Sequence, residues 1–141
     1  MSRAGAAIMT DMLKGVIREG TGKKAQGMTR PVAGKTGTTN GYKDALFIGF
    51  SPSITTGVWV GQDAYVTIGG GETGAKAALP IWIEFMTKAL DRKPLQYFDI
   101  PDDLIKVRMN PVTGLLTSDH SPGAVTALFK KGTEPKRFKR N

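Results

Sequence analysis

The apolar positions change their period along this chain. Between Ala4 and Glu19 they recur at helical spacing. Ile8, Met9, Met12, Leu13, Val16 and Ile17 form one stripe, with Asp11, Lys14 and Arg18 off it. This predicts a helix over 4–19 whose stripe faces a core. Gly20 suits its C-terminal stop, and Thr21-Gly22-Lys23-Lys24 reads as a loop. Residues 25–31 read as a connection, with Pro31 holding the chain extended. From Val32 the pattern becomes that of strands. Val32 to Asn40 is β-prone and punctuated by glycine, Ala45 to Phe50 is continuous and apolar, and Thr55 to Gly61 is β-branched and aromatic. The middle segment suits a strand buried on both faces. Asn40-Gly41 and Ser51-Pro52-Ser53 separate the three. Connections this short imply an antiparallel meander, its second strand central and its first on an outer side. Helical spacing returns over Ala75 to Leu90, where Ala78, Leu79, Trp82, Ile83, Phe85, Met86 and Leu90 make a broad apolar face. Pro80 is tolerable in its first turns. This helix is expected to cover one face of the meander. Trp59 and Trp82 are expected in the core.

Beyond residue 98 the periodicity weakens. Ile100-Pro101, Asn110-Pro111 and Ser121-Pro122-Gly123 mark turns, and Leu104 to Met109 and Ala124 to Phe129 read as short strands. The predicted fold class is α+β: a meander of about three antiparallel strands packed with an N-terminal and a C-terminal helix. Residues 1–98 form the main part and 99–141 an appended, loop-rich extension.

Composition adds exclusions. No run approaches the roughly 18 apolar residues of a spanning helix, and Met1-Ser2-Arg3 leads into no signal peptide. Zero cysteines exclude disulfides and thiolate ligands, and with a single histidine no metal or cofactor is expected. The net charge of +8 is uneven: residues 130–141 hold six Lys/Arg against Glu134 alone. Such a tail reads as a solvated, disordered end. The alternative is a basic nucleic-acid-binding module.

Candidate chemistry concentrates at Val32-Ala33-Gly34-Lys35-Thr36-Gly37-Thr38-Thr39-Asn40. Alternation places Thr36 and Thr38 on one face and Lys35 and Gly37 on the other. Two hydroxyls there suit a ligand carboxylate. A side-chain-free Gly37 lets a second backbone approach. A main-chain N–H suits a developing oxyanion, and Lys35 supplies positive potential and is long enough to curl around the strand. Gly34-Lys35-Thr36 also resembles the end of a nucleotide-binding P-loop, the second alternative. There, however, the position of the first glycine is Thr29, Arg30-Pro31 lies inside the would-be loop, and a strand follows instead of a helix. Gly69-Gly70-Gly71-Glu72-Thr73-Gly74 precedes a helix but reads as a connecting loop. Ser118-Asp119-His120 holds three triad residue types, yet consecutive residues cannot converge as a triad does. Tyr42, just past the strand, is a candidate rim residue.

Lys35-Thr36-Gly37-Thr38-Thr39-Asn40 resembles the lysine-threonine-glycine motif of penicillin-binding proteins and serine β-lactamases. The surrounding segments resemble the class A penicillin-binding proteins in order: Gly20-Thr21-Gly22, Arg30-Pro31-Val32-Ala33-Gly34, Lys43-Asp44-Ala45, Val58-Trp59-Val60-Gly61, Gly71-Glu72-Thr73-Gly74 and Pro80-Ile81-Trp82. Asn110-Pro111-Val112-Thr113-Gly114-Leu115-Leu116 and Lys131-Gly132-Thr133-Glu134-Pro135 are similar to the C-terminal extension of the 1A-type members.

The resemblance implies the C-terminal part of a serine-type D,D-transpeptidase domain from a bifunctional peptidoglycan synthase. The family pairs that domain with a glycosyltransferase domain and an N-terminal anchor in the cytoplasmic membrane. It cross-links D-Ala-D-Ala stem peptides through an acyl-serine and is trapped by β-lactams. Its implied partners are stem peptides, β-lactams and the remainder of the domain, with no nucleic acid. Carried over by position, Lys35 gives electrostatic help, the Thr38 N–H donates to the oxyanion, and Thr36, Gly37, Thr38 and Thr39 bind substrate. The departure is sharp. None of Ser2, Ser51, Ser53, Ser118 and Ser121 has lysine three positions later, and none begins Ser-x-Asn. The nucleophile, the anchor and the glycosyltransferase domain are therefore expected to lie outside these residues, and the chain alone is expected to be inactive. Its sheet edge is expected to invite self-association.

Overall fold

The computed structural model describes residues 1–118 and 121–138. The fold is α+β. In chain order the elements are α1 (Arg3–Arg18), β1 (Ala33–Thr38), β2 (Asp44–Phe50), β3 (Thr55–Gly61), α2 (Leu79–Leu90), β4 (Leu104–Met109) and β5 (Val125–Lys130). They group into two units, residues 13–98 and residues 1–12 with 99–141.

The larger unit is built on the expected meander, in the order β1-β2-β3 with both pairings antiparallel. β2 is central, and Lys35 stands opposite Ile48, Gly37 opposite Leu46 and Thr38 opposite Ala45. α2 covers one face. Phe47, Leu79, Trp82 and Met86 are its fully buried large side chains. The rings of Phe47 and Trp82 meet edge to face at 4.9 Å. Trp82 fits because β2 offers Gly49 beneath it: a Cβ there would come within 2.5 Å of the indole. The indole Nε1 donates to the Thr56 carbonyl at 3.1 Å, so the buried tryptophan leaves no polar atom unpaired.

Two core expectations need correction. β2 is buried on one face only: Ala45, Phe47 and Gly49 are buried, whereas Ile48, pointing the other way, is 48% exposed. Trp59 is not a core residue either, at 56% exposure. It lies flat on the open face, over Gly61, where a Cβ would come within 2.2 Å of its ring. Its Nε1 donates to Asp44 Oδ1 at 2.9 Å. An apolar run is blind to which face lacks a partner element, so the sequence pattern overestimates burial here.

Two local elements were not anticipated. Residues Lys23–Gly27, expected as loop, form a 3₁₀ turn that buries Ala25. A single widened turn, Gly74–Ala78, precedes α2, and Pro80 follows in the first turn of α2 itself. A proline ring presses on the carbonyl four residues back, and a wider turn relieves that contact.

α1 starts and stops one residue earlier than predicted, with Gly20 just beyond it. Its stripe is less buried than expected. Ile17 joins the core of the larger unit and Ala7 that of the smaller, while Met9 and Met12 are exposed.

In the smaller unit β4 and β5 pair antiparallel, with Leu104 opposite Lys130. Ala7, Leu104 and Leu128 form its core, and Asp11 Oδ2 accepts from the Leu128 N–H at 3.3 Å. Of the basic segment expected to be disordered, Lys130 ends β5, the Leu116 N–H donates to the Arg137 carbonyl at 2.9 Å and Phe138 forms an isolated bridge with Leu116, while residues 139–141 lie outside the described residues. Asp119 and His120 lie outside the described residues. Among the described residues no helix is long and apolar enough to cross a membrane.

Candidate functional site

β1 is an edge strand, so one row of its backbone groups lacks a ladder partner. The Thr39 N–H is directed at β2, donating to the Asp44 carbonyl at 3.1 Å. Antiparallel alternation therefore turns the N–H and C=O of Thr38 and Thr36 toward the free edge.

Lys35 starts from the open face and bends to that same edge. Its Nζ donates to the Thr36 carbonyl at 2.8 Å and approaches Thr36 Oγ1 at 3.4 Å. Thr36 Oγ1 is in turn 2.7 Å from Thr21 Oγ1. Thr38 is exposed, and its Oγ1 accepts a hydrogen bond from the Gly74 N–H at 3.1 Å. An amide N–H can only donate, so the Thr38 hydroxyl keeps its own proton for another acceptor. Gly74 is wedged in place: a Cβ there would stand 2.3 Å from the Leu46 carbonyl oxygen and 2.5 Å from that of Gly37.

The edge thus gathers an ammonium, two threonine hydroxyls and an outward N–H around the side-chain-free Gly37. All of these are donors or positive, so the arrangement suits an anionic oxygen ligand. Thr39 and Tyr42 sit differently. Thr39 Oγ1 accepts from the Asp44 N–H at 2.8 Å, which ties it into the β1–β2 turn. Tyr42 adopts φ 53° and is 39% exposed. Its carbonyl accepts from the Ile68 N–H at 2.8 Å, binding the turn to the loop before α2. Tyr42 therefore shapes the end of the strand through its backbone and leaves its ring at the margin.

A separate cleft of about 420 Å³ lies beside the C-terminal half of α2, lined by Met28, Arg30, Ile83, Thr87 and Leu90 among others. Arg30 is engaged there, donating to the Leu90 and Lys93 carbonyls at the end of the helix. No group of three or more metal-ligating side chains occurs among the described residues.

Residues 100–139 match the family model of the penicillin-binding protein 1A C-terminal domain. The chain is 44% identical over 128 residues to penicillin-binding protein 1A of Aquifex aeolicus, and 44% identical over 131 residues to that of Pseudomonas aeruginosa. These alignments take in 91% and 92% of this chain but 18% and 16% of the relatives. The crystal structure of penicillin-binding protein 1A from Haemophilus influenzae superposes with a TM-score of 0.86 at 33% identity, over 99% of this chain and 22% of that one. The chain belongs to the penicillin-binding protein 1A family. It spans about a fifth of the length of the relatives it matches.

In this chain the structure brings together Lys35, Thr36, Gly37 and Thr38 as a single edge. It adds two residues the sequence reasoning did not select as site residues, Thr21 and Gly74. Both signals were faint. Thr21 stands between two glycines just past a helix, and Gly74 closes a glycine-rich loop.

Proposed function

We propose that this chain forms one wall of the acyl-transfer site of a peptidoglycan synthase. The parent would cross-link D-Ala-D-Ala stem peptides by D,D-transpeptidation. In it, a serine attacks the penultimate D-alanine carbonyl, the terminal D-alanine leaves, and an amine of a neighbouring stem takes the acyl group. Residues 1–98 would belong to the transpeptidase domain and 99–141 to its extension. The serine, the glycosyltransferase domain and the membrane anchor would lie in other parts of the parent. β-Lactams, which mimic the dipeptide, would acylate the same serine.

The observation that supports this reading is the donor set on the free edge of β1. The Thr38 hydroxyl has its acceptor side filled by Gly74 and its proton free for the substrate carboxylate. The outward Thr38 N–H suits the oxyanion of the tetrahedral intermediate. Lys35 would lower the cost of negative charge near the serine. Thr36 and Gly37 complete the carboxylate wall, with Thr39 and Tyr42 behind it in the turn.

The test is labelling with a fluorescent penicillin. The chain alone should form no covalent adduct by mass spectrometry. The full-length protein that contains it should label stoichiometrically and be blocked by excess benzylpenicillin. Acylation of the isolated chain, or failure of the full-length protein to label, would overturn the proposal.

A further inference from the structure

Thr21 comes to the strand edge from a fixed turn. The N–H groups of Gly20 and Gly22 both donate to the Val16 carbonyl, at 3.1 and 3.0 Å, and the Gly22 carbonyl accepts from the Ala25 N–H at 2.9 Å. Gly22 is buried, and a Cβ there would meet Ile17 Cδ1 at 2.8 Å. The turn is therefore clamped on both sides of Thr21, while the Thr21 side chain stands exposed with its hydroxyl 2.7 Å from that of Thr36.

The hydroxyl pair is coupled to a cation. The Lys35 ammonium can only donate, so at 3.4 Å it occupies an acceptor position of Thr36 Oγ1. Thr36 retains one proton and one further lone pair, and Thr21 is the group that can serve either. Without a ligand, either hydroxyl of the pair can donate to the other. When a carboxylate reaches the edge, Thr36 O–H turns to it, and Thr21 O–H donates to the remaining lone pair of Thr36. No heavy atom has to move.

We infer that Thr21 is a positioning residue of the carboxylate site, acting through Thr36 as a reversible donor and acceptor. The inference rests on the carboxylate-binding reading of the β1 edge given above. In the bound state the chain runs from Thr21 through Thr36 to the carboxylate, and such chains strengthen their members cooperatively. Thr21 therefore favours ligands that bear the negative charge and contributes little to their neutral counterparts.

The experiment compares acylation of the full-length protein by benzylpenicillin and by its methyl ester, which lacks the carboxylate charge. Thr21→Val keeps the shape and removes the hydroxyl. It should lower the preference for acid over ester by about three- to tenfold, the range of one hydrogen bond. Thr21→Ser should restore that preference, and Thr36→Val should make a second change at Thr21 silent. An equal loss with acid and ester, an unchanged preference in Thr21→Val, or failure of Thr21→Ser to rescue would overturn the inference. Absence of acylation in the unsubstituted protein would overturn the underlying carboxylate reading instead. The ratio of two ligands on one preparation removes any effect of a smaller folded fraction.

Discussion

Thr38 concentrates more of the proposed chemistry than any other residue, since its side chain and its main-chain N–H serve different parts of one substrate. The two can be separated. Thr38→Val removes the hydroxyl and keeps the N–H, and Thr38→Ser keeps both. A hydrogen bond to a charged group contributes about 1.5–3 kcal/mol, so Thr38→Val should lower the acylation efficiency of the full-length protein by about ten- to a hundredfold. Thr38→Ser should stay near the unsubstituted rate, and the second-order rate constant for penicillin acylation decides between them. What the sequence disclosed at this scale depends on sequence distance. The alternation of Lys35, Thr36, Gly37 and Thr38 is local, and the ability of Lys35 to curl around the strand follows from its length. Thr21 and Gly74 reach the strand from 15 and 36 residues away. Nothing in local spacing marks contacts of that kind, because they depend on how the turn after α1 and the turn before α2 dock.

Among elements, the strands and helices were legible because their periods differ and their breaks are chemically explicit. Asn40-Gly41, Ser51-Pro52-Ser53 and Gly20 all fall where the chain turns. The faces were less legible. β2 reads as apolar throughout, but the larger unit lays α2 on only one side of the sheet, leaving Ile48 and Trp59 partly open. The covered side is tightly fitted. Gly49→Ala would put a methyl group within 2.5 Å of the Trp82 ring, in a core that has no room to give. Overpacking of this kind costs about 1–3 kcal/mol. A chemical denaturation curve should show the midpoint falling with an unchanged slope. An undisturbed midpoint would mean that α2 can lift off the sheet without loss. The widened turn ahead of Pro80 has no counterpart in hydrophobic spacing, since its signal is one proline whose effect lies upstream.

For the molecule as a whole, the edge strand β1 and a half-covered sheet face sit on a chain of net charge +8. The free edge of β1 offers backbone groups to a second copy, and the open face offers Ile48 and Trp59. Like charge opposes that association, and salt screens the opposition. Light scattering at high concentration should therefore give a mass above the 15.1 kDa of one chain, rising with added salt. A clean monomer at all salt concentrations would show that the edge and face are self-sufficient. The two tryptophans bring this question within reach of optics. Trp82 is sealed against Phe47, whereas Trp59 lies in the open beside Asp44, so one indole is shielded and the other meets solvent. The intrinsic fluorescence of the chain is thus two signals, of which only one can be quenched from outside. Whatever comes to rest on the open face will announce itself by protecting that one.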